Sequence, residues 1–283
     1  MFIENQNKNE IFLNSARNCL RYVIRAFRIK QIYLPYYICQ AVRYAVKEED
    51  IAVKFYHIDE DFMPEMAFDK NDYILYPNYF GICGRQNKIL SNKYKNLISD
   101  NAHALFAEKT GCAAFSSPRK FLKVNDGGIL ISDKIIHDDF QTDADRNIEI
   151  TDYESFCKNE LTIDNESIKL MSEKTKKQLS AVDENAEKQR RLNIFGNYSK
   201  LFEKYNRLKI NPDTLDVPYV YPFLSDKSAL IGKYLDMNDI YTLKYSTNFP
   251  KGCFEHELSE HLLLLPLDEK AFNICSYFDF HKF

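Results

Sequence analysis

The chain lacks any uninterrupted apolar run of the roughly 18 residues a membrane span requires. Its opening, MFIENQNKNEIF, lacks the charged-then-apolar order of a secretory signal. A cytoplasmic protein with no membrane partner is therefore expected. Surplus positive charge is missing too: 38 Lys and Arg stand against 41 Asp and Glu, a formal net charge of −3. With both signs mixed along the chain there is no basic footprint for a phosphate backbone, and nucleic acid is not an expected partner. The seven cysteines (19, 39, 83, 112, 157, 253 and 275) form no C-x-x-C pair and no metal-finger spacing. They read as reduced, mostly buried small hydrophobes, and no metal site is expected. Internal repeats and low-complexity tracts are also absent.

What is present is a globular chain of 283 residues, 45% of them hydrophobic, enough for one main domain and a smaller one. Apolar residues at Ala16, Cys19, Leu20, Val23, Ile24 and Phe27 follow helical spacing, with Asn14 or Ser15 as the cap. QIYLP (31–35) reads as a strand, and Ile38, Ala41, Val42 and Ala45 as a second helical stripe. Further strands are predicted at 51–58, 72–77, 96–99, 112–116 and 127–132, separated by helical or turn-like segments. The expected class is α/β, a mostly parallel sheet flanked by helices. Beyond 132 the texture turns acidic and poorly periodic, then helical over 166–206, then mixed from Val217. A large domain over 1–150 and a smaller α+β domain over 151–283 are expected.

Three features of the first domain become informative together. Asp100 follows the apolar run NLIS and so projects from the carboxyl end of a strand, the edge at which open α/β sheets bind ligands. Lys120 lies in FSSPRKFLKVNDGGILIS (115–132), seven residues before the Gly127–Gly128 pair. LNSARN (13–18) opens a helix whose free N–H groups offer an anion site. Each has a bland alternative: Asp100 as a helix cap, Lys120 or its neighbour Lys123 as a solvated turn lysine, Arg17 as a helix-surface arginine. Together they are the parts that pyridoxal 5'-phosphate requires. A lysine forms the Schiff base, a carboxylate keeps the pyridine nitrogen protonated, and a helix start holds the phosphate.

At these residues the sequence resembles the DegT/StrS-type sugar aminotransferases, pyridoxal phosphate enzymes of the aspartate aminotransferase fold. SDNAHAL (99–105) resembles the family's E-D-A-A-[HQ]-A, which implies Asp100 as the partner of the pyridine nitrogen and His103 beside the ring. FSSPRKFLKVNDGGIL (115–130) is similar to F-S-F-x-x-x-K-x-L-x-x-G-E-G-G-x-[VI], which puts Lys120 on the Schiff-base position. LNSAR (13–17) resembles the S-G-T phosphate loop, implying phosphate contacts from Ser15, Ala16 and Arg17. The loop before Lys120 is one residue short, so Ser116 or Ser117 takes the corresponding phosphate role. IYLPYYICQAV (32–42), LYPNYFG (75–81) and EKQRRLNIFGNYSKLF (187–202) resemble further family segments. Tyr36, Tyr37, Asn78 and Tyr79 become substrate-pocket candidates, with core packing as their alternative.

The resemblance implies an aminotransferase acting on a keto sugar, nucleotide-linked or free, with glutamate as amino donor, in amino-sugar or polysaccharide biosynthesis. It also implies a homodimer. The departures point to a second reading, a catalytically degenerate relative serving as an interaction or regulatory subunit. Gly and Thr are missing from the phosphate loop, Cys39 stands where the family has a cofactor-stacking aromatic, and the dimer-crossing segment is barely recognisable near residues 169–172. A helix between 58 and 72 is expected to be absent, and the Tyr22–Phe27 side of the first helix to be uncovered. DADRNIEITDYE (143–154) places Asp143, Asp145, Asn147 and Glu154 at positions 1, 3, 5 and 12 of a calcium loop. Ile148 occupies the position that needs Gly, so a solvated acidic connection is expected instead.

Overall fold

The computed structural model describes residues 9–151, 153–163, 166–209, 211–242 and 249–277. Along the first half run β1 (Glu10–Leu13), α1 (Ala16–Phe27), β2 (Gln31–Pro35), α2 (Gln40–Glu48), β3 (Ala52–Tyr56) and β4 (Tyr73–Pro77). Next come α3 (Gly84–Lys93), β5 (Leu97–Asn101), β6 (Ala113–Ser116) and β7 (Gly128–Ser132). The second half holds α4 (Tyr153–Ile163), α5 (Glu173–Ser180), α6 (Glu184–Phe202), β8 (Val220–Leu224), α7 (Ser228–Asp236), α8 (Phe254–His261), β9 (Leu262–Pro266) and α9 (Glu269–Ser276). Among the described residues no helix is long and apolar enough to cross a membrane.

Seven strands form one sheet in the order β1-β7-β6-β5-β4-β2-β3. The run from β3 to β6 is parallel, while β7 is antiparallel to β6 and β1 to β7. All six predicted strands are present, and the sheet is mostly parallel and flanked by helices. Central strands bury both faces, hence the near-continuous apolar runs QIYLP and YILYP. Edge strand β3 alternates exposed and covered residues, AVKFY. β1 has no signal of its own, being four residues after a polar stretch; pairing with β7 makes it a strand.

Helices α1 and α2 cover one face through Cys19, Leu20, Val23, Ile24, Val42 and Val46. Of the two cap candidates the structure uses Ser15, whose Oγ accepts from the Asn18 N–H at 3.2 Å. The other face shares one continuous core with the C-terminal part. Tyr33, Ile74 and Tyr76 of the sheet cluster with Phe195, Tyr198 and Phe202 of α6 and with Phe223 and Leu263 of the two-stranded sheet β8–β9.

Two expectations are corrected. The Tyr22–Phe27 side of α1 is covered, because the irregular segment after β7 folds over it. The Tyr22 hydroxyl donates to the Ile136 carbonyl and accepts from the Ile136 N–H, its ring packs on Phe140, and the residue is 1% exposed. Phe27 packs edge-on against Tyr73. Nor is Asp143 a solvated acid: it is buried and ion-paired with Arg146 and Lys169, which also pair with Glu166. Residues 57–72 contain no helix, as expected; their Phe62 and Phe68 rings pack edge-on against Phe80, Tyr33 and Tyr56.

The Gly pair seats β7 against the start of α1. The Gly127 N–H donates to the Asn14 carbonyl, and Gly127 has a φ of 121°. A Cβ on Gly128 would lie 2.5 Å from the backbone of Ser15 and 2.6 Å from the Cys19 sulfur. Gly128→Ala is therefore expected to lower stability by about 1–3 kcal/mol through forced displacement of backbone. Urea unfolding checks this; an unchanged midpoint would show that the α1 start yields freely.

Candidate active site

Strand order reverses between β2 and β4: β3 lies outward of β2, whereas β5, β6 and β7 follow β4 in the opposite direction. Such a reversal leaves a crevice at the carboxyl ends, where no connection crosses. The segment after β2 brings Tyr37, Ile38 and Cys39 to it, and the end of β4 brings Pro77, Asn78 and Tyr79. Asp100, Ala102, His103 and Lys120 complete the lining of a pocket of about 400 Å³, open mouth included.

Asp100 sits in β5 at 8% exposure, and its Oδ1 accepts from the Ala102 N–H at 2.9 Å. Burial pushes its carboxyl above the ordinary range, with the Ala102 bond and the Lys120 charge partly offsetting this. His103 packs flat between Tyr219, at 4.9 Å, and Phe80, at 6.4 Å. Burial, and then Lys120, hold its imidazole well below the usual value, so the neutral ring is the resident form. Lys120 ends a 3-10 turn over Pro118–Lys120, with its Nζ 5.8 Å from the centre of the Tyr219 ring. Burial lowers its pKa, Cys39 and Asp100 pull it back up, and Arg119 and Arg17 add to the lowering. The result is an amine that gives up its proton more readily than a surface lysine, as a nucleophile or proton carrier must. Lys123 is exposed on the turn beyond.

The remaining candidates divide by position. Ser15 and Ala16 form the start of α1, and Arg17 donates to the Ile163 carbonyl and lies 3.9 Å from Glu160. Arg119 pairs with the same Glu160, so one α4 carboxylate serves two arginines near Lys120. Ser116 is in register with Asn101 and lines a separate cleft with it, Phe106 and Ile129. Asp100 is one residue earlier in β5 and so faces the other side of the sheet. Ser117, buried, immediately precedes the turn carrying Lys120. Asn78 reaches the pocket while its Oδ1 accepts from the Cys83 N–H, and the Tyr79 hydroxyl donates to the Tyr37 carbonyl. Tyr36 is not brought to the pocket; it stacks on Phe55 and His57.

Residues that the sequence did not single out also meet here. Tyr219, just before β8, faces both His103 and Lys120, and its N–H donates to the Phe80 carbonyl. Arg191 of α6 donates to the carbonyls of Tyr219 and Phe121 and so ties the Lys120 loop to the C-terminal part. Arg119, Lys120, Arg190, Arg191, Tyr219 and Tyr241 line a second cavity of about 930 Å³, open mouth included, so Lys120 borders both spaces. The aromatic alternation of VPYVYPF marks a strand, but nothing in it names a partner 100 residues earlier.

No protein-family model matches the sequence, and no curated protein does either. Solved structures do match the fold. Spr1654 of Streptococcus pneumoniae, described as a sugar aminotransferase and solved in its PMP form, superposes with a TM-score of 0.68 at 15% identity, covering 94% of this chain and 84% of that one. Helicobacter pylori PseC, an aminotransferase involved in pseudoaminic acid biosynthesis, gives 0.64 at 17% identity, with 94% and 84% covered. A DegT/DnrJ/EryC1/StrS aminotransferase of Brucella abortus gives 0.62 at 13%, with the same coverage. The chain therefore has the fold of DegT/DnrJ/EryC1/StrS-type sugar aminotransferases.

The raised Asp100 carboxyl makes a pH-dependent prediction for the cofactor-free protein. Its folded-state pKa lies above its unfolded value, so its stabilising contribution is full at low pH and is lost as pH rises through the folded pKa. Asn keeps the acceptor oxygen for Ala102 and carries no charge. Asp100→Asn is expected to be more stable than the parent at neutral pH, the gap closing towards about pH 4. Urea midpoints across that range test the sign; a parent more stable at pH 7 would mean that Lys120 outweighs burial.

Proposed function

We propose that the protein is a pyridoxal phosphate-dependent aminotransferase acting on a keto sugar, with glutamate as amino donor, in amino-sugar or polysaccharide biosynthesis. The observation that carries this reading is the meeting of Lys120, Asp100 and His103 in one pocket at the strand-order reversal. The residues present fit the cofactor on chemical grounds. The pocket offers an amine of lowered basicity and a desolvated carboxyl able to pair with a protonated ring nitrogen. Beside it, the side-chain-free Gly128 lies against the start of α1, so no Cβ crowds that helix end. Spr1654, with the same fold, was solved in a PMP form.

When bound, pyridoxal phosphate supplies an electron sink for the charge left on a substrate carbon that loses a proton. The work of the chain's own residues follows from their positions. Lys120 would hold the cofactor through its amine and, with its lowered basicity, would serve as the general base and general acid that moves the substrate proton. Asp100 would keep the ring nitrogen protonated, an N–H partner suited to a carboxylate that burial otherwise penalises. His103, neutral and clamped against Tyr219, offers a flat uncharged surface beside the ring. The N–H groups at the start of α1, with Arg17 and Ser117, would hold the phosphate. Tyr37, Asn78 and Tyr79 bound the substrate end of the pocket. The cavity on the other side of Lys120, with Arg119, Arg190 and Tyr241, admits a polar substrate.

Two measurements test this reading. After reconstitution with pyridoxal phosphate and reduction with borohydride, peptide mapping is expected to find the cofactor on Lys120. Lys120→Ala is expected to lose that label and the visible absorbance band, with turnover down by about 10²–10⁴-fold or more. A label on Lys123 would move the assignment to that residue, and none on the parent protein would favour the degenerate reading. The proposal includes a homodimer, the commonest closed assembly. Sedimentation is expected to give twice the chain mass, and a fully active monomer at micromolar concentration would refute it.

A further inference from the structure

Away from the pocket, three side chains with metal-binding atoms converge from two distant parts of the chain. His57 follows the end of β3, Cys253 immediately precedes α8, and Glu255 lies in its first turn. The His57 Nδ1, the Cys253 Sγ and a Glu255 carboxylate oxygen all lie within 4.8 Å of one another. The arrangement is held from outside. The Ile58 N–H donates to Glu255 Oε1 at 2.9 Å, fixing the carboxylate, and Oε2 lies 3.1 Å from His57 Nδ1. The His57 ring packs against Tyr36 at 4.4 Å, tilted by 32°. Glu255 is 0% exposed, while His57 and Cys253 are partly open to solvent, so the cluster has both a fixed floor and an entry path.

We propose that His57, Cys253 and Glu255 form a site for a divalent transition metal of the zinc class, with water as fourth ligand. One imidazole nitrogen, one thiolate and one carboxylate oxygen suit a borderline-soft ion, and three protein ligands leave one tetrahedral position open. Tetrahedral bonding would put the ligand atoms about 3.4–3.6 Å apart. The His57–Glu255 pair is already close to that, and the Cys253 sulfur, now donating to the Pro250 carbonyl, lies within 4.8 Å of both. The site would pin the segment that carries Phe249, packed on Tyr37, and Phe254, packed on Phe62, to the end of β3.

The test uses the reduced full-length chain without added pyridoxal phosphate, titrated with Co²⁺ under anaerobic conditions. One Co²⁺ per chain is expected, with a thiolate-to-cobalt charge-transfer band and the strong visible bands of a tetrahedral ion, displaced by Zn²⁺. Zn²⁺ is expected to raise the melting temperature by several degrees. Cys253→Ser should lose the charge-transfer band, and His57→Gln should weaken binding by about 100-fold or more, beyond what loss of an outer-shell partner costs. No thiolate band in the parent protein, or the same band in Cys253→Ser, would overturn the proposal, the latter by assigning it to another cysteine. Should His57→Gln fail to fold, the partly exposed Cys253→Ser variant decides alone.

Discussion

The reversal of strand order between β2 and β4 is the constraint on which the site depends. Parallel strands need crossover connections, and these run over the faces of the sheet. Where successive strands are laid down in opposite directions, the two connections part and leave the carboxyl edge open. Here the parting segments are Tyr37–Cys39 and Asn78–Tyr79, and the next strand outward ends in Asp100. The crevice is therefore a product of topology, filled by whatever side chains end those strands. Lys120 arrives from further along the sheet because β7 turns back antiparallel to β6, which lets the loop between them lean over the crevice.

That loop is held at its far end by backbone contact. Gly127 and Gly128 let β7 pass flush against Asn14 and Ser15, which couples the start of α1 to the strand leaving the Lys120 loop. Asp126 adds a second tie, its buried carboxylate accepting from the Ser172 N–H and from the Ser172 and Thr175 hydroxyls at the start of α5. Arg191 adds a third through the Phe121 carbonyl. In the proposed reading Lys120 would need such support, since small displacements of a catalytic group cost large factors in rate.

The sequence was most legible where one local pattern decides the structure. Apolar runs bounded by turns marked β2 to β7, and helical spacing with a Ser cap marked α1. Asp100, His103 and Lys120 were singled out by their resemblance to ordered family blocks, and the structure brings the three to one pocket. Features that arise from partners distant in the chain were not legible. β1 is a strand only because β7 is beside it. Whether Ser116 or Ser117 faces the crevice depended on strand register, which a loop one residue short leaves open. Tyr36 and Tyr37 look alike in sequence, yet the first turns out towards Phe55 and His57. Tyr219 meets Lys120 from 99 residues away, and His57 meets Glu255 across a separation of 198.

Charge around the crevice is balanced within the chain. Lys120, Arg17 and Arg119 would together present three positive groups to a desolvated space, and burial alone already favours the neutral amine. Glu160 of α4 lies against both arginines and cancels part of that charge. The cancellation has a consequence for the proposed reading. A phosphate at the start of α1 would meet Arg17 in competition with Glu160, so its hold rests more on the helix N–H groups and less on side-chain charge than in a loop with free cations. Once seated, the dianion would draw Arg17 from Glu160 and leave that carboxylate to Arg119. The lost Gly and Thr of the phosphate loop and the presence of Glu160 thus bear on one balance: how much of an anion's charge this helix start can neutralise with backbone dipoles.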